Sequence, residues 1–186
     1  EVTTELWLDP SETATIVSDV DGVITLPDKS GNGYDAGQSF TTARPDTGTR
    51  TLNGLNMLDF NGTTDYLSMA TGPANDSDTI ALAVVDFDGA SSRQRIISFQ
   101  DGVATRWSMR FSDATTYEYN QDDASFGGVT KTFTPSIGPR LFSGYRDGNN
   151  VYAGIDGVYN GVEVSTDGTF TEWRIGAYRG TGQTDP

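Results

Sequence analysis

The 186-residue chain contains no cysteine and no histidine, only two lysines and only six glutamates. Without cysteine there is no disulfide framework, no thiolate metal site and no thiol nucleophile. Without histidine the commonest general base and the commonest zinc ligand are gone, which excludes Ser-His-Asp, Cys-His and imidazole-metal chemistry. No apolar run approaches the length of a membrane span, so membrane insertion is not expected. Basic residues are sparse and scattered against a formal charge of −14, whereas nucleic-acid binders concentrate positive charge, so nucleic acid is not an expected partner.

What the chain has is turn and strand chemistry. Glycine (22), aspartate (20), threonine and asparagine dominate, and good helix formers are few, so an all-β fold is expected. A chain of this length buries enough surface for one sandwich core, and no linker or repeat divides it, so 1–186 reads as a single domain. Asn53-Gly54, Asn61-Gly62, Asp21-Gly22 and Asp156-Gly157 sit between short apolar runs, and such pairs favour tight hairpins because they tolerate positive φ. Strands are expected over 5–8, 14–17, 23–26, 49–52, 55–60, 66–69, 79–87, 95–99, 104–111, 117–120, 140–146, 151–155, 158–160 and 170–176. Residues 126–134 form an edge strand or a long loop. Residues 79–87 (TIALAVVDF) are apolar on both faces and predict a core strand. The expected buried set is Trp7, Phe60, Leu82, Val84, Ile97, Trp107, Phe111, Leu141, Ile155 and Ile175.

Two stretches carry candidate chemistry. In Asp28-Lys29-Ser30-Gly31-Asn32-Gly33, oxygen-bearing side chains stand at the first, third and fifth positions and glycine at the sixth, as in the opening of an EF-hand calcium loop. The twelfth position is Ser39 instead of glutamate, and no helical period flanks the loop, so a structural turn competes with a calcium site. In 104–111 the residues Trp107, Met109 and Phe111 share one face, and Arg106, Ser108 and Arg110 share the other. Tyr117 and Tyr119 then lead into Asp122 and Asp123. A sheet face carrying Tyr117, Tyr119, Asp122, Asp123, Arg106 and Arg110 would suit a glycan, with rings stacking on sugars and polar groups meeting hydroxyls. Cross-strand packing of the tyrosines is the competing reading. Calcium, if bound, is expected at Asp28 or at the Asp122/Asp123 pair.

Leu6-Trp7-Leu8-Asp9, then Asp28 to Gly33, Arg44-Pro45, Asn53 to Phe60 and Asp65-Tyr66-Leu67 follow one another in an order that resembles laminin-G-like, concanavalin A-like jelly-roll domains of bacterial surface and tailed-phage proteins. Residues 140–161, with Asp156-Gly157, followed by Trp173-Arg174-Ile175-Gly176, resemble the later hairpin and strand of those domains. The resemblance implies a two-layer antiparallel β-sandwich and an extracellular or virion-surface location. It also implies that a closing strand after Gly176 is missing from residues 178–186, so that either the sequence is part of something longer or a neighbouring subunit supplies that strand by β-augmentation; the start at Glu1 likewise leads one to expect a processed or partial chain. The implied function is a noncatalytic module attaching to a glycan or surface receptor; the alternative is a virion decoration or fibre subunit acting through neighbouring protein subunits. Polysaccharide-degrading activity would need paired carboxylates, and Glu1, Glu5, Glu12, Glu118, Glu163 and Glu172 stand isolated, so an enzyme is not expected.

Overall fold

A computed structural model describes residues 3–73, 78–87, 94–100, 106–121, 129–132, 138–148, 150–164 and 172–176. The chain is all-β with antiparallel sheets, and its only helices among the described residues are two 3-10 turns, Thr13–Thr15 and Thr41–Ala43. No helix among them is long and apolar enough to cross a membrane. The chain falls into two compact units, Glu1–Pro73 with Glu172–Pro186, and Ala74–Thr171.

In the first unit, β1 (Val17–Asp19), β2 (Gly22–Leu26), β3 (Ala36–Gly37), β6 (Tyr66–Met69) and β15 (Glu172–Gly176) line up in that order, all antiparallel. β4 (Asp46–Leu52) and β5 (Leu55–Asp59) form a separate hairpin. Its turn is the expected Asn-Gly pair, with Asn53 at φ 52°, the left-handed conformation that asparagine tolerates better than most residues. The core of this unit is Val23, Leu26, Leu67, Met69 and Trp173. Leu67 and Met69 share one face of β6, where Met69 meets Trp173 of β15, and a register shift in the β1–β2 pairing lies between Val23 and Leu26, which are both buried although of opposite parity.

The expected first strand over 5–8 does not form; a single bridge, Leu8 to Asp28, is all the pairing there. Side-chain hydrogen bonds hold this segment instead. The Trp7 amide donates to the Asp28 carboxylate at 3.0 Å, and Asn32 Nδ2 donates to the Glu5 carbonyl at 2.9 Å. Trp7 is consequently 53% exposed, with Lys29 Nζ 5.7 Å from its ring. Its expected burial is overturned because a loop, not a sheet, positions it.

The second unit contains a sandwich. One layer is β8 (Gln94–Gln100), β9 (Arg106–Asp113), β10 (Thr116–Gln121) and β11 (Val129–Thr132) in sequential order. The other is β7 (Asp78–Asp86), β12 (Pro139–Asp147), β13 (Asn150–Ile155) and β14 (Val158–Val164), ordered β14-β13-β12-β7. The layers meet through aromatic rings. Phe142 of β12 lies 5.0 Å from Phe111 of β9, edge to face, and 5.0 Å from Tyr117 of β10. The Tyr117 hydroxyl crosses the gap and donates to the Ser143 carbonyl at 2.9 Å. Gly144 is what allows the close approach: a Cβ there would lie 1.9 Å from Tyr119 Cδ2. Of the expected core set, Phe111 and Ile155 are buried, while Phe60, Ile97 and Ile175 are half-buried. The Trp107 side chain lies outside the described residues. Leu82, Val84 and Leu141 are corrected from core to surface, for the reason given next.

Candidate binding surface

Most of the residues singled out in the sequence do not gather into a site. Tyr117 and Tyr119 are closed to solvent, so they fill the core between the layers and offer no ring face to a ligand. Burial also pushes the Tyr117 phenol well above its usual range. Arg110 is buried on the opposite face of the same sheet, where its Nε donates to Glu118 Oε2 at 2.6 Å. That pair is in cross-strand register, with Arg95 next in line, and Ser98 faces Ser108 in the neighbouring row. Arg95, Ser98 and Ser108 are buried as well, so this polar face is not an open groove. Arg106 begins β9, but its side chain lies outside the described residues, and so do Asp122 and Asp123.

Asp28 is described in full. Its carboxylate accepts from the amides of Trp7, Ser30 and Tyr34 and, at 2.6 Å, from the Ser30 hydroxyl. Partial burial alone would raise its pKa, but the Ser30 hydroxyl and the three amides outweigh that and hold the carboxyl down at about 2. Donors, not other oxygens, converge on it. This is the geometry of an Asx-type turn that anchors the N-terminal segment, and the calcium-like spacing coincides with it. Among the described residues no group of three or more acidic side chains is placed to hold a metal ion.

The surface that does stand open is the outer face of the four-stranded sheet. Register fixes its membership: Tyr145 pairs with Ile80, Ser143 with Leu82 and Leu141 with Val84, while Tyr145 also faces Tyr152 across to β13. Residues of this parity point away from Phe142, whose ring enters the core. Ile80 (55%), Leu82 (60%) and Val84 (57%) are exposed, and Leu141 and Tyr159 are exposed beside them. The residues between them in β7 are half-buried on the other face. Thus the run 79–87 is apolar at both parities, as the sequence indicates, but only one parity is covered.

At one end of this face Ile80, Tyr145, Tyr152 and Tyr159 line a hollow of about 370 Å³. Tyr145 and Tyr152 stack on one another, centroids 5.4 Å apart with ring planes 24° from parallel. Tyr159 lies across Gly154, where a Cβ would come within 2.8 Å of its Cε1, so the ring rests on bare backbone. The hollow is walled by ring surfaces and an isoleucine, with few polar atoms turned into it. Its chemistry is therefore chiefly burial of apolar surface.

Fold and surface together define an all-β protein of antiparallel sheets with an exposed apolar sheet face. No family model, curated protein or solved structure matches the chain. The laminin-G-like resemblance therefore stands on its motifs alone.

Proposed function

We propose that this chain is a noncatalytic binding module displayed on a virion or bacterial surface, and that the outer face of its four-stranded sheet is the contact surface. The observation that carries this reading is the run of exposed aliphatic side chains Ile80, Leu82, Val84 and Leu141 on one sheet face. Contiguous exposed apolar surface on a water-facing protein marks interaction sites. Aliphatic side chains complement another polypeptide better than they complement a glycan, whose hydroxyls need polar partners. Attachment to neighbouring protein subunits, as by a decoration or fibre subunit, is accordingly the favoured form.

A second reading, attachment to a glycan, is favoured by Tyr159, whose ring rests on Gly154 with its far side toward solvent. The two are separated by a glycan array run with wild-type protein and Tyr159→Ala. The polypeptide reading expects no reproducible glycan binding, and glycan binding lost in Tyr159→Ala would put the glycan reading in its place. The surface itself is tested with anilinonaphthalene sulfonate, a dye that fluoresces on apolar surface. Wild type should light the dye, and Leu82→Arg should dim it without a change in melting temperature. Equal fluorescence from both would remove the basis of the proposal.

A further inference from the structure

We infer that the outer face of the four-stranded sheet docks a polypeptide segment with an apolar centre and basic flanks; this deepens the binding-module reading and rests on it. The argument is one of charge. No charged side chain interrupts the outward set from Ile80 to Val84 in β7 or from Leu141 to Tyr145 in β12. Each strand's outward set then closes on an exposed carboxylate, Asp86 at the end of β7 and Asp147 at the opposite end of β12. Asp156, in the β13–β14 turn, is paired with Arg140, whose Nε lies 3.6 Å away, so the acidic ends rest on Asp86 and Asp147. The described arginines of this sheet, Arg140 and Arg146, belong to the inward parity, and Arg146 is buried with its Nε donating to the Gly148 carbonyl. The stripe is thus apolar along its length and acidic at both ends.

A second copy of the chain would bring the same acidic ends together under a net charge of −14 on each partner, and like charges across an interface suppress association. A segment carrying Lys or Arg on either side of an apolar centre meets both features at once. Its approach would also be steered by the overall negative field.

The test is to pan a random-peptide display library on the immobilised 186-residue protein. Recovered peptides are then measured by fluorescence anisotropy against wild type, Leu82→Ser and the pair Asp86→Asn/Asp147→Asn. Leu82 is already exposed, so Leu82→Ser should fold, which its melting curve verifies; Val84→Ser serves as a second variant. Expected are peptides with an apolar centre and basic flanks whose affinity falls about tenfold or more in Leu82→Ser. The aspartate pair should lower affinity severalfold at low salt, and that loss should vanish at high salt. Apolar-centred peptides lost in Leu82→Ser but without basic flanks would overturn the charge inference and leave the binding surface standing. No recovered peptides, or peptides that bind Leu82→Ser as well as wild type, would overturn both.

Discussion

Replacing Asp28 with alanine removes one carboxylate and four hydrogen bonds: those from the Trp7, Ser30 and Tyr34 amides at 3.0, 2.9 and 3.1 Å and from the Ser30 hydroxyl at 2.6 Å. Hydrogen bonds to a charged group contribute about 1.5–3 kcal/mol each when buried. Asp28 is only partly buried, so its donors can turn to water, and about 2–3 kcal/mol for the whole set is the reasonable magnitude. For a chain of this size that lowers the melting temperature by roughly 4–12 °C. The pH dependence adds an independent reading. The carboxyl titrates near 3.8 when unconstrained and at about 2 in the folded chain. On acidification the unfolded chain therefore takes up this proton first, so the stabilisation is fully present above about pH 4 and is lost as pH falls from there toward about 2. Solvent screening of a partly exposed group reduces its size to about 1 kcal/mol. Asp9, Asp19 and Asp113 are also held low by hydrogen bonds, so the wild-type acid slope is shared; the difference between wild type and Asp28→Asn isolates this residue. Thermal melts followed by circular dichroism at pH 2.5 to 7 supply both numbers. An Asp28→Ala melting point equal to wild type would refute the anchoring role. A wild-type melting point raised several degrees by millimolar calcium and returned by chelator would refute the structural-turn assignment.

Tyr117→Phe leaves the ring in place and deletes only the donor to the Ser143 carbonyl across the buried gap, so it should cost about 1–3 kcal/mol in urea unfolding; an unchanged midpoint would mean that the hydroxyl does not bridge the layers. Gly144→Ala puts a methyl group 1.9 Å from the Tyr119 ring, and overpacking of this kind costs about 1–3 kcal/mol or more. A variant within about 0.5 kcal/mol of wild type would show that the Tyr119 ring does not rest on Gly144.

What the sequence made legible is what local chemistry decides. Asn53 and Asp156 take positive φ where Asn-Gly and Asp-Gly hairpins were expected, because two adjacent residues suffice to set such a turn. The face partition within β9 was also legible, with Met109 and Phe111 on the core side and Ser108 and Arg110 on the other. Which of these faces Tyr117 and Tyr119 of β10 join was not, since period-2 alternation separates two faces of a strand without saying how they align with a neighbour. Of the two readings of the tyrosines, packing is the one the structure bears out: Phe142, more than twenty residues away, lies against Tyr117, and Gly144 makes room for Tyr119. Trp7 failed for a related reason. Its alternating neighbours suggest a strand, but the Asp28 turn captures its amide first, and side-chain capture of backbone competes with ladder pairing.

The two outer faces of the second unit reverse the usual relation between polarity and burial. On β9 the outward set includes Ser108 and Arg110, which composition would give to solvent, yet both are buried. On β7 the outward set is Ile80, Leu82 and Val84, which composition would give to a core, yet all three are exposed. Burying Arg110 is tolerable because Glu118 meets its guanidinium at 2.6 Å; an unpaired charge there would be costly. Exposing Leu82 has no such local compensation. Each large aliphatic side chain left in water forgoes about 1.5–3 kcal/mol that burial would supply. The fold withstands this because Phe111, Tyr117 and Phe142 form a separate core between the layers. Local rules broken without local compensation tend to mark functional positions. On β7 the broken rule is repaired by any partner that covers the face, so the stabilisation missing from the isolated chain is the same quantity that would drive docking.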